Sequence, residues 1–332
     1  MSSQKLWEML TGYRTTQMLI VAARAGVADE LAHGPRSVAD LAAAASVNAD
    51  ALYRVLRGLA SLGVFREVSD RHFELTPLAE GLRSDVPGSA RSAALLYAET
   101  SWWEAWGHMY ESVQTGKTAF DAVHGEELFE FLNRHPAVAA RFNAHMVAGT
   151  EVEARLVVAA YDFSRAGRII DVGGGHGILL GEILRTHPNL QAALFDQAAV
   201  VAGAPSRLQQ VGVADRCALL SGDFFAAVPD GFDTYLLKSI IHDWEDERAL
   251  LILRNCRRAM KGNEKLLLVE HIVTRDNQPN VGKIWDMTML VITGGLERTR
   301  DEHELLLRTA GFRISNVVPM PSGASVLEAL PV

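Results

Sequence analysis

Residues 168–177 read RIIDVGGGHG, and the fold turns on them. Arg168 to Val172 is a short apolar run with an acid, Asp171, near its end, as expected of a buried parallel strand. Gly173, Gly174, Gly175 and Gly177 follow at once, and Ile178 to Leu184 opens a helical pattern. A strand, a glycine turn and a helix make a nucleotide-cofactor pocket at the carboxyl end of a sheet. Glycine serves there because it reaches positive φ and lets a ligand approach the backbone. The spacing is G-x-G-x-G, at Gly173, Gly175 and Gly177. A dinucleotide fingerprint wants its third glycine or alanine where Ile178 stands. The acid–glycine form suits S-adenosylmethionine (SAM), which carries an amino-acid tail and has no pyrophosphate to cradle.

The surrounding chain has the bulk of one large or two ordinary domains, at 332 residues. A net charge of −8 argues against a general nucleic-acid or anionic-membrane binder. No window approaches the roughly 18 apolar residues of a membrane span. No basic segment followed by an apolar run opens the chain, so a cytoplasmic protein is expected. The two cysteines, Cys217 and Cys256, make neither a disulfide framework nor a four-ligand metal site and read as packing residues.

Two halves differ in pattern. Residues 1–165 are nearly all helical in periodicity, whereas 166–332 alternate apolar strands with amphipathic helices, the signature of βαβ units. Within the first half, Ser37 to Ala45, Asn48 to Leu62 and the runs Phe65 to Val68 and His72 to Leu75 form a winged helix-turn-helix pattern. Five arginines in 37–85 face seven acids there, so the module lacks the basic face of a DNA reader and is expected to be structural or dimerising. Residues 92–163 are further helices rich in aromatics, among which Trp103, Phe142 and Met146 are candidates to line a pocket for a flat substrate. In the second half strands are expected near 168–172, 191–196, 217–221, 233–238, 265–270, 313–319 and 325–330. Helices are expected near 177–187, 199–211, 246–260, 283–292 and 300–310.

Several polar residues fall at the ends of those strands. Asp196 follows the glycine turn by about 20 residues, the distance at which an acid reaches a ribose hydroxyl. Asp223 in SGDFF is placed to accept from an adenine amino group, with Phe224 against the adenine face. In LKSIIHDWEDE, Lys238 ends a strand and His242-Asp243-Trp244 leads into a helix. Open α/β sheets do their chemistry beyond such strand ends. A histidine of ordinary pKa, near ~6.5, is mostly neutral at pH 7 and usable as a base. Glu270 in LLLVEH and Glu297 in GGLERT are acids that could fix its tautomer and support the imidazolium. A salt bridge with Arg298 or Arg300 is the plainer alternative for Glu297.

The glycine motif, FDQ, GDFF, LKSIIHDWEDE, VE and GGLERT occur in the order seen in class I SAM-dependent O-methyltransferases. The chain most resembles the caffeic acid, acetylserotonin and hydroxyneurosporene type, over nearly its whole length. The resemblance implies an α/β fold. Its Rossmann-like, seven-stranded, mostly parallel sheet would follow an N-terminal helical winged-helix domain that builds a homodimer. It implies that Gly173 and Gly175 meet the methionine part of SAM, that Asp196 binds ribose, and that Asp223 and Phe224 hold adenine. It also implies that Lys238 lines the cofactor site, while His242 is the general base flanked by Glu270 and Glu297. Asp243 joins the substrate pocket. The expected reaction is in-line methyl transfer to a hydroxyl of a small, aromatic or polyketide-like molecule, without a metal. Altered chemistry on the same pocket (N- or C-methylation, hydroxylation, decarboxylation) and a winged-helix ligand sensor stay open as alternatives.

Overall fold

The computed structural model describes residues 2–332. Two compact units result: one runs to Trp103 and takes in Leu132–Gly149, and the other comprises Glu104–Phe131 and Thr150–Val332. Segment 104–131 therefore groups with the sheet unit, although it lies before residue 165 in the chain.

The first unit contains the winged-helix pattern. Ser37 caps helix Val38–Ala45 by accepting from the Asp40 amide at 3.1 Å, and Asn48 caps helix Ala49–Ser61 through the Ala51 amide at 2.9 Å. Strands Phe65–Ser69 and His72–Leu75 pair antiparallel, and a two-residue strand, Arg36–Ser37, joins the second of them. Leu41, Leu52, Leu56, Leu59, Phe65 and Phe73 fill the core between helices and hairpin.

The second unit is built on a sheet of β1 (Arg168–Val172), β2 (Gln191–Asp196), β3 (Cys217–Ser221), β4 (Thr234–Lys238), β5 (Lys265–Val273), β6 (Arg298–Thr299), β7 (Phe312–Pro319) and β8 (Ala324–Pro331). Seven of them lie in the order β7-β8-β5-β4-β1-β2-β3. Pairs within β3-β2-β1-β4-β5 are parallel, and β8 and β7 add antiparallel at one edge. The eighth strand, β6, was not expected. It exists because β5 runs past Glu270 to Val273 and offers Ile272 and Val273 to Arg298 and Thr299. The sheet is buried on both faces. Ile170, Val172, Tyr235, Leu237 and Leu268 point to one core, and Ile169, Leu194, Leu236, Leu267 and Val269 to the other. The parallel strands accordingly read as continuous apolar runs. Chain order reverses between β1 and β4, which opens the crevice where such sheets bind ligands.

Two expected helices are interrupted. The helix expected at 199–211 is two, Ala198–Val201 and Ala204–Gln210, because Pro205 starts a new helix and the His176 ring packs against Gly203. The helix expected at 283–292 runs from Val281 to Thr288 and continues as a π-helical turn, Met289–Thr293, that stops at Gly294 with φ 80°. Cys217 and Cys256 are both buried thiols. Among the described residues no helix is long and apolar enough to cross a membrane.

Candidate active site

The crevice between β1 and β4 is lined first by the glycine turn. Gly173, Gly175 and Gly177 adopt φ of 74°, 60° and 73°, a region open to glycine at no steric cost. At Gly173 a Cβ would stand 2.5 Å from Ile240 Cδ1, so the turn closes down on the segment after β4. At Gly175 a Cβ would meet nothing within 4 Å, which leaves open space over the turn. Asp196, at the end of β2, accepts from the Gly175 amide at 2.8 Å and from the Gln197 amide at 2.7 Å. Each of its oxygens keeps accepting capacity, and burial pushes its carboxyl above the usual range. Beneath the turn, buried Asp171 has one carboxylate oxygen without a hydrogen-bond partner, and burial, then the nearby Asp196 charge, raise its carboxyl to about 7. An open glycine cradle edged by acceptors suits a ligand that carries hydroxyls and a cationic amino-acid tail, so the residues fit SAM.

The loop after β3 presents Phe224 against Phe225 and Trp244, with ring centroids at 4.9 and 6.3 Å. Asp223 is exposed and accepts from the Phe225 amide at 2.8 Å, which closes the turn. Asn255, buried on the helix after β4, donates to the Phe224 and Phe225 carbonyls at 2.7 and 2.9 Å and so fixes the loop. Nothing in its local sequence marks Asn255 for this task. Lys238 pairs with Glu153 at 2.9 Å, a partner the sequence reading missed because it lies far upstream on helix Pro136–Ala160.

His242, Glu270 and Glu297 come together at the far side of the crevice. His242 Nδ1 lies 2.8 Å from Glu297 Oε1 and 3.6 Å from Glu270 Oε2. Its Nε2 is turned away from both, with Asp243 Oδ1 at 3.8 Å. Glu270 uses its other oxygen to accept from the Ile240 and Ile241 amides at 3.2 and 2.9 Å. That carboxylate therefore shapes the backbone leading into His242 as well as its charge. Glu297 does not pair with Arg298. Arg298 is buried, bonds Asp246 at 2.8 Å, and donates to the Ile241 and Trp244 carbonyls at 3.0 and 2.9 Å. The His242 carbonyl accepts from the Leu296 amide at 2.9 Å, and Gly295 lies so close that a Cβ would fall 1.9 Å from that carbonyl oxygen.

Burial opposes a charge on His242, but Glu270, Asp243 and Glu297 outweigh it and raise the imidazole to about 10. The convergent carboxylates thus favour the charged ring more than the ordinary value assumed from the sequence. Glu297 is held near 2: burial works against its charge, and the bonds to His242 and His271 prevail. Burial lifts Glu270, and it lifts Asp243 to about 6. Of the aromatic-pocket candidates, all in the first unit, Trp103 and Met146 are 42% and 41% exposed, and the Phe142 ring lies 6.1 Å from Trp102.

Comparison with known proteins places this geometry. Residues 106–313 match an O-methyltransferase domain and residues 7–85 an O-methyltransferase dimerisation domain. The chain is 44% identical over 330 residues to the phenazine O-methyltransferase PhzM of Lysobacter antibioticus, covering 99% of this chain and 96% of that protein. It is 35% identical to the 8-amino-8-demethylriboflavin N,N-dimethyltransferase of Streptomyces davaonensis, covering 98% and 95%. The crystal structure of LaPhzM superposes with a TM-score of 0.96 at 44% identity over all of both chains. The calicheamicin-biosynthesis methyltransferase CalO1, solved with S-adenosylhomocysteine (SAH) bound, gives 0.86 at 38% identity over 100% and 98%. The chain belongs to the SAM-dependent small-molecule O-methyltransferase family and is a methyltransferase.

Proposed function

We propose that the enzyme methylates a hydroxyl on a small aromatic or polyketide-like acceptor, with His242 as the proton acceptor. The observation that carries this reading is the His242 Nδ1–Glu297 Oε1 contact at 2.8 Å, which leaves Nε2 as the reactive nitrogen. SAM, when bound, supplies an activated sulfonium methyl, so the chain's task is alignment and proton removal. Gly173, Gly175 and Asp196 bind and orient the cofactor, Asp223 and Phe224 hold its base, and Lys238 edges the site. His242 Nε2 faces the acceptor oxygen and holds its proton. The acids around the ring favour the imidazolium that forms when the acceptor hydroxyl gives up its proton. Glu297 fixes the tautomer, and Glu270 supports the charge. Asp243 is a proposed contact to the acceptor. The phenazine relative favours a fused aromatic acceptor.

His242→Ala is expected to lower turnover by roughly 10²–10⁴-fold while leaving SAH affinity unchanged. Near-normal turnover in that variant on a true acceptor would refute the base assignment. The N,N-dimethyltransferase relative supports a second reading, transfer to an amine nitrogen. Fragment masses of the methylated product separate the two. The match to a dimerisation domain over residues 7–85 favours a homodimer.

A further inference from the structure

His271 follows Glu270 on β5 and has no part in the reading above. Its Nδ1 lies 3.7 Å from Glu297 Oε1, the oxygen that receives His242 Nδ1 at 2.8 Å. One carboxylate, itself almost fully buried, therefore faces two imidazoles, while its second oxygen has no partner. Helix Val281–Thr288 packs on His271, with Gly282 so close that a Cβ would stand 3.2 Å from His271 Cβ. The same helix supplies Asp286, which accepts from the Glu297 amide at 2.8 Å. The other ionisable groups around the trio are Glu270 and Asp243 beside His242, and Arg298 and His303 beyond Glu297. Arg298 is committed to Asp246 and backbone carbonyls, and burial lowers the His303 imidazole to about 4. His271 is then the one member of the group, other than His242 itself, that can place an N–H or a positive charge directly on Glu297.

We propose that His271 is a positioning residue that acts through Glu297 to set how tightly His242 holds its proton. The sign does not depend on the state of His271. A neutral ring donating Nδ1–H to Glu297, or a charged ring facing it, draws electron density from Oε1 and weakens that oxygen's support of the His242 imidazolium. Removing His271 must strengthen that support, and a permanent cation in its place must not. This inference rests on His242 being the base only for its effect on rate, because the coupling itself can be read without turnover.

The test is the ¹⁵N-histidine NMR titration of the full-length protein, with the His242 ring assigned by its loss in His242→Gln. It would compare wild type with His271→Gln and His271→Lys, alongside the pH profile of kcat/KM. His271→Gln is expected to move the His242 titration, and the limb of the profile that follows it, up by about half a pH unit, and His271→Lys to leave both in place or lower them. A merely structural role would lower the rate without moving the titration. A His242 titration unchanged or lowered in folded His271→Gln, or raised in folded His271→Lys, would overturn the proposal. If the titration shifts as stated while His242→Ala keeps its turnover, the base assignment fails and the coupling stands.

Discussion

A histidine wedged among carboxylates does not titrate as a free one, and at the residue scale that decides how this site meets its substrate. His242 is raised to about 10 against an ordinary 6.5, so its proton stabilises the folded chain. That contribution is fully present below pH 6.5 and is lost as pH rises through about 10. Glu297, lowered to about 2 from 4.5, contributes stability that is present above pH 4.5 and lost as pH falls through 2. Unfolding free energy should therefore decline between pH 6.5 and 10, by up to about 1.4 kcal/mol per pH unit from His242 alone. His242→Gln should flatten that decline in urea denaturation across the window, and an unaltered slope would show that His242 does not hold the proton. The identities of His242, Glu270 and Glu297 were legible in the sequence because each sits at a strand or loop end in a known order. Their charge states were not, because those depend on burial and on three acids converging from separate segments. His271 and Glu153 escaped for the same reason: each acts through a partner remote in sequence.

At the scale of elements, the segment 294–298 holds the active-site loop. Gly295 admits the His242 carbonyl, the Leu296 amide binds it, Glu297 reaches its ring, and Arg298 bonds the carbonyls on either side. Four successive residues, 295–298, serve one loop, and the short strand β6 anchors them to the end of β5. Arg298→Met removes the guanidinium, takes its donor from the Trp244 carbonyl and leaves the Ile241 carbonyl with only the Trp244 amide at 3.4 Å. It should destabilise the fold by about 3 kcal/mol or more, read as a drop in the urea midpoint, and should impair turnover beyond what partial unfolding explains. A loss under 1 kcal/mol would mean that the loop is held otherwise. The sequence predicted the elements on either side but not this clamp. A buried arginine looks like any surface arginine until the chain is folded, and Glu297–Arg298 reads as an ordinary neighbouring pair. The interruption at Pro205 and the π-helical turn before Gly294 were hidden similarly, since apolar periodicity continues through both.

At the scale of the whole molecule, the places of seven strands followed from the alternation of apolar runs and amphipathic helices in residues 166–332. The order of those strands, the two-residue strand β6 and the grouping of 104–131 with the sheet unit lay beyond that reading. Helix Ser2–Leu10 leaves Leu6, Trp7, Met9 and Leu10 between 60% and 69% exposed, an apolar face that a lone chain has no reason to carry. With the dimerisation match beginning at residue 7, the expected particle is a homodimer, and Trp7→Glu with Leu10→Glu should shift it toward monomer in light scattering. A wild-type monomer at micromolar concentration would refute the dimer. The most direct test of the central proposal is methyl transfer from isotopically labelled SAM to hydroxylated phenazines and naphthols, measured by product mass for wild type and for His242→Ala, with SAH affinity measured calorimetrically on both. A label on the acceptor oxygen, lost by roughly 10²–10⁴-fold in the variant at equal SAH affinity, is the expected result. A labelled nitrogen or carbon, or a variant as fast as wild type, would contradict it.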